Sequence, residues 1–170
     1  MSLSGGKLIL STIDSTEIRK LRLQSTGLIN SPFKSVADAV SHLGAVQAQD
    51  FAAAKWALGM RIENSTDTDI EKAFNEGKIL RTHVLRPTWH FVMPEDIRWM
   101  LELTAPRVKA FLAHYNRKLE LDEPLFARSN AAIVKALKNH TYLTRKELKT
   151  ILTDIGIETN VQRLAHHLIG

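Results

Sequence analysis

The chain has 170 residues, 44% hydrophobic and 24% charged, enough to bury one or two small cores. It contains no cysteine, which excludes a disulfide framework and a thiolate metal site. No run approaches the roughly eighteen apolar residues that span a bilayer, and residues 1–7 lack the regions of a secretory signal, so a cytoplasmic protein with no membrane contact is expected.

The formal net charge of +5 suits an anionic partner, and its distribution says more than its total. Eight Lys and Arg fall between Lys78 and Lys118 against three acids, an excess equal to that of the whole chain. This concentration predicts a phosphate-facing surface in that stretch.

In chain order, residues 1–13 read as a flexible leader around Ser4-Gly5-Gly6. Asp14 then caps a first helix, with Glu17 placed for a capping box, Ile18, Leu21 and Leu28 as apolar contacts, and Gly27 as its stop. A second helix runs from Ser35 to Gly44 on Val36, Ala39, Val40 and Leu43. Asp50 caps a third, Phe51 to Met60, whose single charge is Lys55. A helix apolar nearly all round is expected to be central and buried. Thr66 to Gly77 reads as a fourth, with Ile70, Ala73 and Phe74 facing inward.

The pattern changes after Gly77. Lys78–Val84 and Thr88–Met93 are rich in β-branched and aromatic residues and flank Leu85-Arg86-Pro87, which predicts a β-hairpin. Alternation assigns Leu80, Val84, Trp89 and Phe91 to the apolar side and Arg81, His83, Thr88 and His90 mainly to the polar one. Short helices followed by a hairpin are the order of a winged helix-turn-helix. Pro94–Leu103 and Thr104–Tyr115 read as connecting helices.

The helical order then recurs: Ala131–Asn139, Thr144–Ile155 with the capping box Thr144/Glu147 and a stop at Gly156, and a last helix from Asn160. A second hairpin is due where the chain ends. The fold class expected is therefore mostly α with small β-hairpins, a tandem winged helix-turn-helix whose second unit is truncated before its wing. The divisions are a leader at 1–13, a first unit at 14–93, connecting helices at 94–128 and a second unit at 129–170.

The stretch Gly44-Ala45-Val46-Gln47-Ala48-Gln49-Asp50, followed by Trp56-Ala57-Leu58 and Arg61, resembles the bacterial AlkZ-like family of winged-helix DNA glycosylases. So do Ile79-Leu80-Arg81-Thr82, Leu85-Arg86-Pro87-Thr88-Trp89-His90-Phe91-Val92 and Asp96-Ile97-Arg98-Trp99. Leu143 to Leu148, Gly156 and Arg163-Leu164 extend the likeness from about Ile18 to the C-terminus, and by length the chain would be the N-terminal portion of such a protein. The resemblance implies tandem winged-helix domains that cup double-stranded DNA. It further implies DNA repair by excision of N-alkylated or crosslinked purines through a Gln-x-Gln motif, here Gln47 and Gln49. A non-catalytic winged-helix DNA-binding or regulatory protein is the alternative, and a protein-binding scaffold a third.

Glutamine does not ionise, so neither residue is a general base in the ordinary sense. Each can orient a water, which suffices when the leaving group is already cationic and departs readily. Residues two apart share a side only in extended chain, so the pair converges only if 47–49 is extended ahead of the third helix. In the competing structural account these amides satisfy backbone groups at a helix entrance. Asp50 is read as a cap rather than a base. Arg81, His83, Arg86, Thr88 and His90 on the hairpin, with Arg163 on the last helix, are the candidate DNA contacts. No metal or cofactor is expected, because His83 and His90 lack a carboxylate neighbour. Trp56, Trp89 and Trp99 are expected in cores. The fourth helix is acidic, with Asp67, Asp69, Glu71 and Glu76 against Lys72, which argues against phosphate contact there.

Overall fold

Side-chain caps set most of the helix starts. The structure, a computed structural model, describes residues 14–169 apart from 87 and 139. The leader expected over residues 1–13 and Pro87 of the hairpin turn lie outside the described residues.

Asp14 caps α1 (Ser15–Ser25), accepting from the Thr16 amide at 3.3 Å. This helix buries none of its residues, and Ile18 and Leu21, expected as core contacts, are exposed. Glu17, Arg19, Lys20 and Arg22 interrupt any apolar stripe, and α1 is instead tied down at its C-terminal end. Arg61 Nε donates to the Thr26 carbonyl at 2.9 Å, and His42 Nε2 meets the Ser25 carbonyl at 3.1 Å. Gly27 follows at φ +70°, where a Cβ would lie 2.3 Å from the Phe33 ring. Backbone conformation and close approach therefore both require glycine there.

Ser35 caps α2 (Val36–Leu43), whose Val36, Ala39 and Val40 are buried. Gly44 turns the chain at φ +71° into β1 (Ala45–Gln47). Asp50 caps α3 (Phe51–Gly59) and Thr66 caps α4 (Asp67–Asn75) with a complete capping box to Asp69. The hairpin forms as β2 (Leu80–Val84) and β3 (Thr88–Val92), and β1 joins it in a three-stranded antiparallel sheet of order β1-β3-β2.

The first core gathers Val40, Leu58, Ile70, Ile79 and Phe91, all nearly or fully excluded from solvent. Phe51 packs edge-on against both Phe74 and Phe91, with centroids 5.3 and 5.8 Å apart, geometry that suits the ring quadrupoles. Contrary to expectation, α3 is not buried all round: Trp56 is 68% exposed, and Met60, which caps the helix, 44%. The alanines 52 and 53 on the same side are exposed too, so this face meets no other described element's core. Lys55 is the opposite surprise. Its side chain is buried, and its ammonium bridges Asp67 and Glu71 at 2.8 Å each.

After β3 the chain forms α5 (Ile97–Lys118), one continuous helix of 22 residues rather than two connecting ones. Pro106 lies inside it, although proline lacks an N–H and crowds the preceding turn. A long helix absorbs the loss of one hydrogen bond, and the bonding resumes on both sides. Asp122 caps α6 (Glu123–Leu137), accepting from Leu125 N at 2.8 Å, so this helix starts two turns before the expected Ala131. Thr144 and Glu147 form the predicted capping box of α7 (Arg145–Asp154), and Gly156 at φ +74° ends it. Asn160 Oδ1 accepts from the Arg163 amide at 2.8 Å at the start of α8 (Val161–Ile169). Leu152, Ile157 and Leu164 form a separate core with Leu125 and Ile133.

The described chain thus divides into two compact units, residues 14–81 with 90–94 and residues 82–89 with 95–169. Among the described residues, no helix is long and apolar enough to cross a membrane.

Candidate functional site

Strand pairing positions the first two candidates. β1 runs antiparallel to β3 in the register Ala45↔Val92, Val46↔Phe91, Gln47↔His90. Gln47 is therefore the last residue of an extended strand, and Ala48 behind it is fully buried. Gln47 and Gln49 are both exposed and line one open hollow of about 300 Å³ at the entrance to α3. Asp50, Ala53, Ala54 and Ala57 complete its wall. Residues 50, 53 and 57 share one face of the helix, and the methyl side chains of Ala53 and Ala57 leave room that larger ones would fill.

Asp50 is occupied as a cap: its Oδ1 accepts from the Ala53 amide at 3.0 Å. The hollow therefore carries two neutral amides at the positive end of a helix dipole, a setting that favours a partly negative oxygen.

Arg81, on β2, turns toward the same loop. Its Nε donates to the Ala48 carbonyl at 3.0 Å and its Nη2 to the Gln49 carbonyl at 3.3 Å. The guanidinium also lies over the Phe51 ring, 5.5 Å from the centroid. His90 is buried at 6% exposure, opposite Gln47 in the sheet, and not on the polar face that alternation assigned to it. The reason is its strand: β3 is the middle of three, Phe91, His90 and Val92 are all buried, and so both of its faces are covered.

The other hairpin candidates sit at its tip. Leu85 adopts φ +65°, and it and Arg86 are exposed. His83 packs against Trp89 with ring centroids 3.9 Å apart and the planes tilted by 41°, and Thr88 is half-buried at the start of β3. Arg163 is occupied within the second unit, donating to the Leu119 carbonyl at 2.7 Å and the Glu158 carbonyl at 3.0 Å. The structure thus gathers Gln47, Gln49, Arg81 and His90 around one loop.

The acids of α4 are similarly engaged. Asp69 completes the Thr66 box, which holds its carboxyl below the ordinary range. Asp67 and Glu71 accept from Lys55. Glu76 pairs with Lys78 at 2.8 Å, and that contact lowers its carboxyl.

Sequence reasoning missed the small-residue wall and the exposed indole of Trp56. The spacing of Ala53 and Ala57 after Asp50 is the available signal for the wall. Nothing local marks Trp56 as exposed.

A family model described as DNA glycosylase AlkZ-like matches residues 40–169. No curated protein and no solved structure matches the chain. The matched span takes in β1, the Gln47–Asp50 loop, the hairpin and all the helices from α3 onward. On that match the chain belongs to the AlkZ-like DNA glycosylase family.

Proposed function

We propose that the protein is a winged-helix DNA-repair glycosylase that hydrolyses the N-glycosidic bond of N-alkylated or crosslinked purines in double-stranded DNA. The observation that carries this reading is the placement of Gln47 and Gln49 in one hollow at the head of α3. Family membership supplies the reaction class. The order α2-β1-α3-α4-β2-β3 supports a winged-helix first unit, and α6-α7-α8 supports a second helical repeat.

The chemistry follows from the leaving group. A cationic purine takes the bonding electron pair from C1′ and departs neutral, so it needs no acid. The electron-poor sugar carbon then accepts a water oxygen, and the released proton passes to solvent. Gln47 and Gln49 hold that water by accepting from it, which supplies positioning rather than proton transfer. Arg86 at the exposed hairpin tip, with His83 and Thr88 nearby in sequence, is the proposed phosphate contact. Arg81, His90 and Arg163 serve the fold instead, since Arg81 and Arg163 hold backbone carbonyls and His90 is buried. The acidic α4 does not favour the scaffold reading, because its carboxylates already serve Thr66, Lys55 and Lys78.

The test is single-turnover excision of an N-alkylated purine from duplex DNA. Gln47→Ala with Gln49→Ala is expected to slow excision about ten- to thousandfold. Affinity for undamaged duplex should change by less than about threefold, since no charge is altered. A double variant that excises at the parental rate once folded refutes the catalytic assignment and leaves the amides a structural role.

A further inference from the structure

We infer that Arg81 is a positioning residue, a clamp that fixes both backbone dihedrals of Gln49 and so the direction of its side chain. The inference rests on the reading above for its catalytic consequence but not for its geometry.

Each residue has two soft torsions, φ toward the preceding peptide plane and ψ toward the following one. For Gln49 the preceding plane carries the Ala48 carbonyl and the following plane carries its own. Those are the two oxygens that Arg81 holds, through Nε at 3.0 Å and Nη2 at 3.3 Å. One planar group therefore fixes the rotation of both planes about a single Cα. Ala48 and Gln49 lie between the end of β1 and the Asp50 cap, outside the strand itself.

The clamp is itself braced. Arg81 leaves from a strand, and its guanidinium rests over Phe51, whose ring packs against Phe74 and Phe91 in the first core. The sequence separation between Arg81 and Ala48 is 33 residues, so the contact reports tertiary structure and not a local turn.

Lysine cannot replace it. A compact ammonium carries the same charge but lacks the rigid fork that spans two acceptors at fixed spacing. This separates a clamp from a phosphate contact, which lysine would serve nearly as well.

The experiment compares Arg81→Lys, Arg81→Gln and Arg81→Ala with the parent and with the double Gln47/Gln49 variant. Two measurements are made on folded protein: backbone 15N order parameters, and single-turnover excision beside duplex affinity. For the clamp, the order parameters at 48–50 fall from the rigid range near 0.85 toward about 0.6 in all three variants, while those of α3 hold. Excision falls about a hundredfold in all three, lysine included, with duplex affinity within about threefold.

Unchanged order parameters in Arg81→Ala overturn the clamp whatever the activity does. Lysine restoring both rate and affinity overturns it in favour of a charge contact. If the glutamine double variant keeps the parental excision rate, the catalytic reading fails instead, and the order parameters alone decide the clamp.

Discussion

His167 shows what burial does to a single titratable side chain. Its Nδ1 meets Ser129 Oγ at 3.1 Å, the Phe126 ring packs edge-on at 5.5 Å, and only 4% of the residue is exposed. Burial holds the imidazole below the ordinary histidine value of 6.5, and the nearby Arg163 and His166 push it the same way. Burial lowers His166 as well. The folded protein thus keeps these rings neutral where the unfolded chain binds protons. The stability they contribute is full above pH 6.5 and is lost as pH falls below that value toward the depressed folded pKa. Melting temperature measured across pH 8 to 5 should be flat at first and then decline from about pH 6.5. His167→Leu should shallow that decline, since Ser129 keeps its hydrogen bond to the Phe126 carbonyl. An unchanged slope in the leucine variant would assign the effect to other groups. The same reasoning by neighbours could not be done from sequence, where His166 and His167 are simply adjacent and only packing says which is enclosed.

Helices reveal which parts of the architecture are locally written. Asp14, Asp50 and Thr144 stand where caps were expected, and Ser35 and Thr66 cap the helices expected to begin at them, because a cap involves residues two or three apart and its chemistry is complete within one turn. Thr144→Ala should cost about 1 kcal/mol of stability by denaturant titration. β1 escaped assignment as a strand for the opposite reason: it is three residues long and exists through pairing with β3, far along the chain. The extended chain that convergence of the glutamines demands was nonetheless inferable from their spacing. Arg81 was legible as a basic hairpin residue, but its carbonyl partners were not. The two connecting helices expected over 94–115 form one, and α5 runs through Pro106, where local propensity is overruled by helix on both sides. That overruling carries a cost. Pro106→Ala restores one N–H to the ladder and removes the ring's clash with the preceding turn, and a proline inside a helix is worth about 3 kcal/mol against alanine. The variant should therefore raise the denaturant midpoint by the equivalent of about 1–3 kcal/mol. A midpoint that falls would mean the helix relies on a kink at this position.

At the scale of the molecule, charge is what couples sequence to partner. The eight cations between Lys78 and Lys118 do not all face solvent in the same way. Lys78 is paired with Glu76, and Arg81 is turned onto two backbone carbonyls. Arg86, Arg98, Arg107, Lys109, Arg117 and Lys118 are exposed, five of them along α5. A family of DNA glycosylases needs such a surface, because each phosphate neutralised releases a condensed counterion and steepens the salt dependence by about 0.9. The slope of log affinity against log salt therefore counts contacts. Arg86→Gln and Arg107→Gln, made singly and together, are expected to flatten that slope by about 0.9 each where they meet phosphate, with additive loss of affinity. Arg81→Gln is the internal comparison: its guanidinium is turned onto the Ala48 and Gln49 carbonyls, so excision should suffer while the slope stays at the parental value. If neutralising Arg86 and Arg107 leaves the slope untouched, duplex DNA approaches the protein from another side, and the concentration of charge in this stretch serves solubility alone.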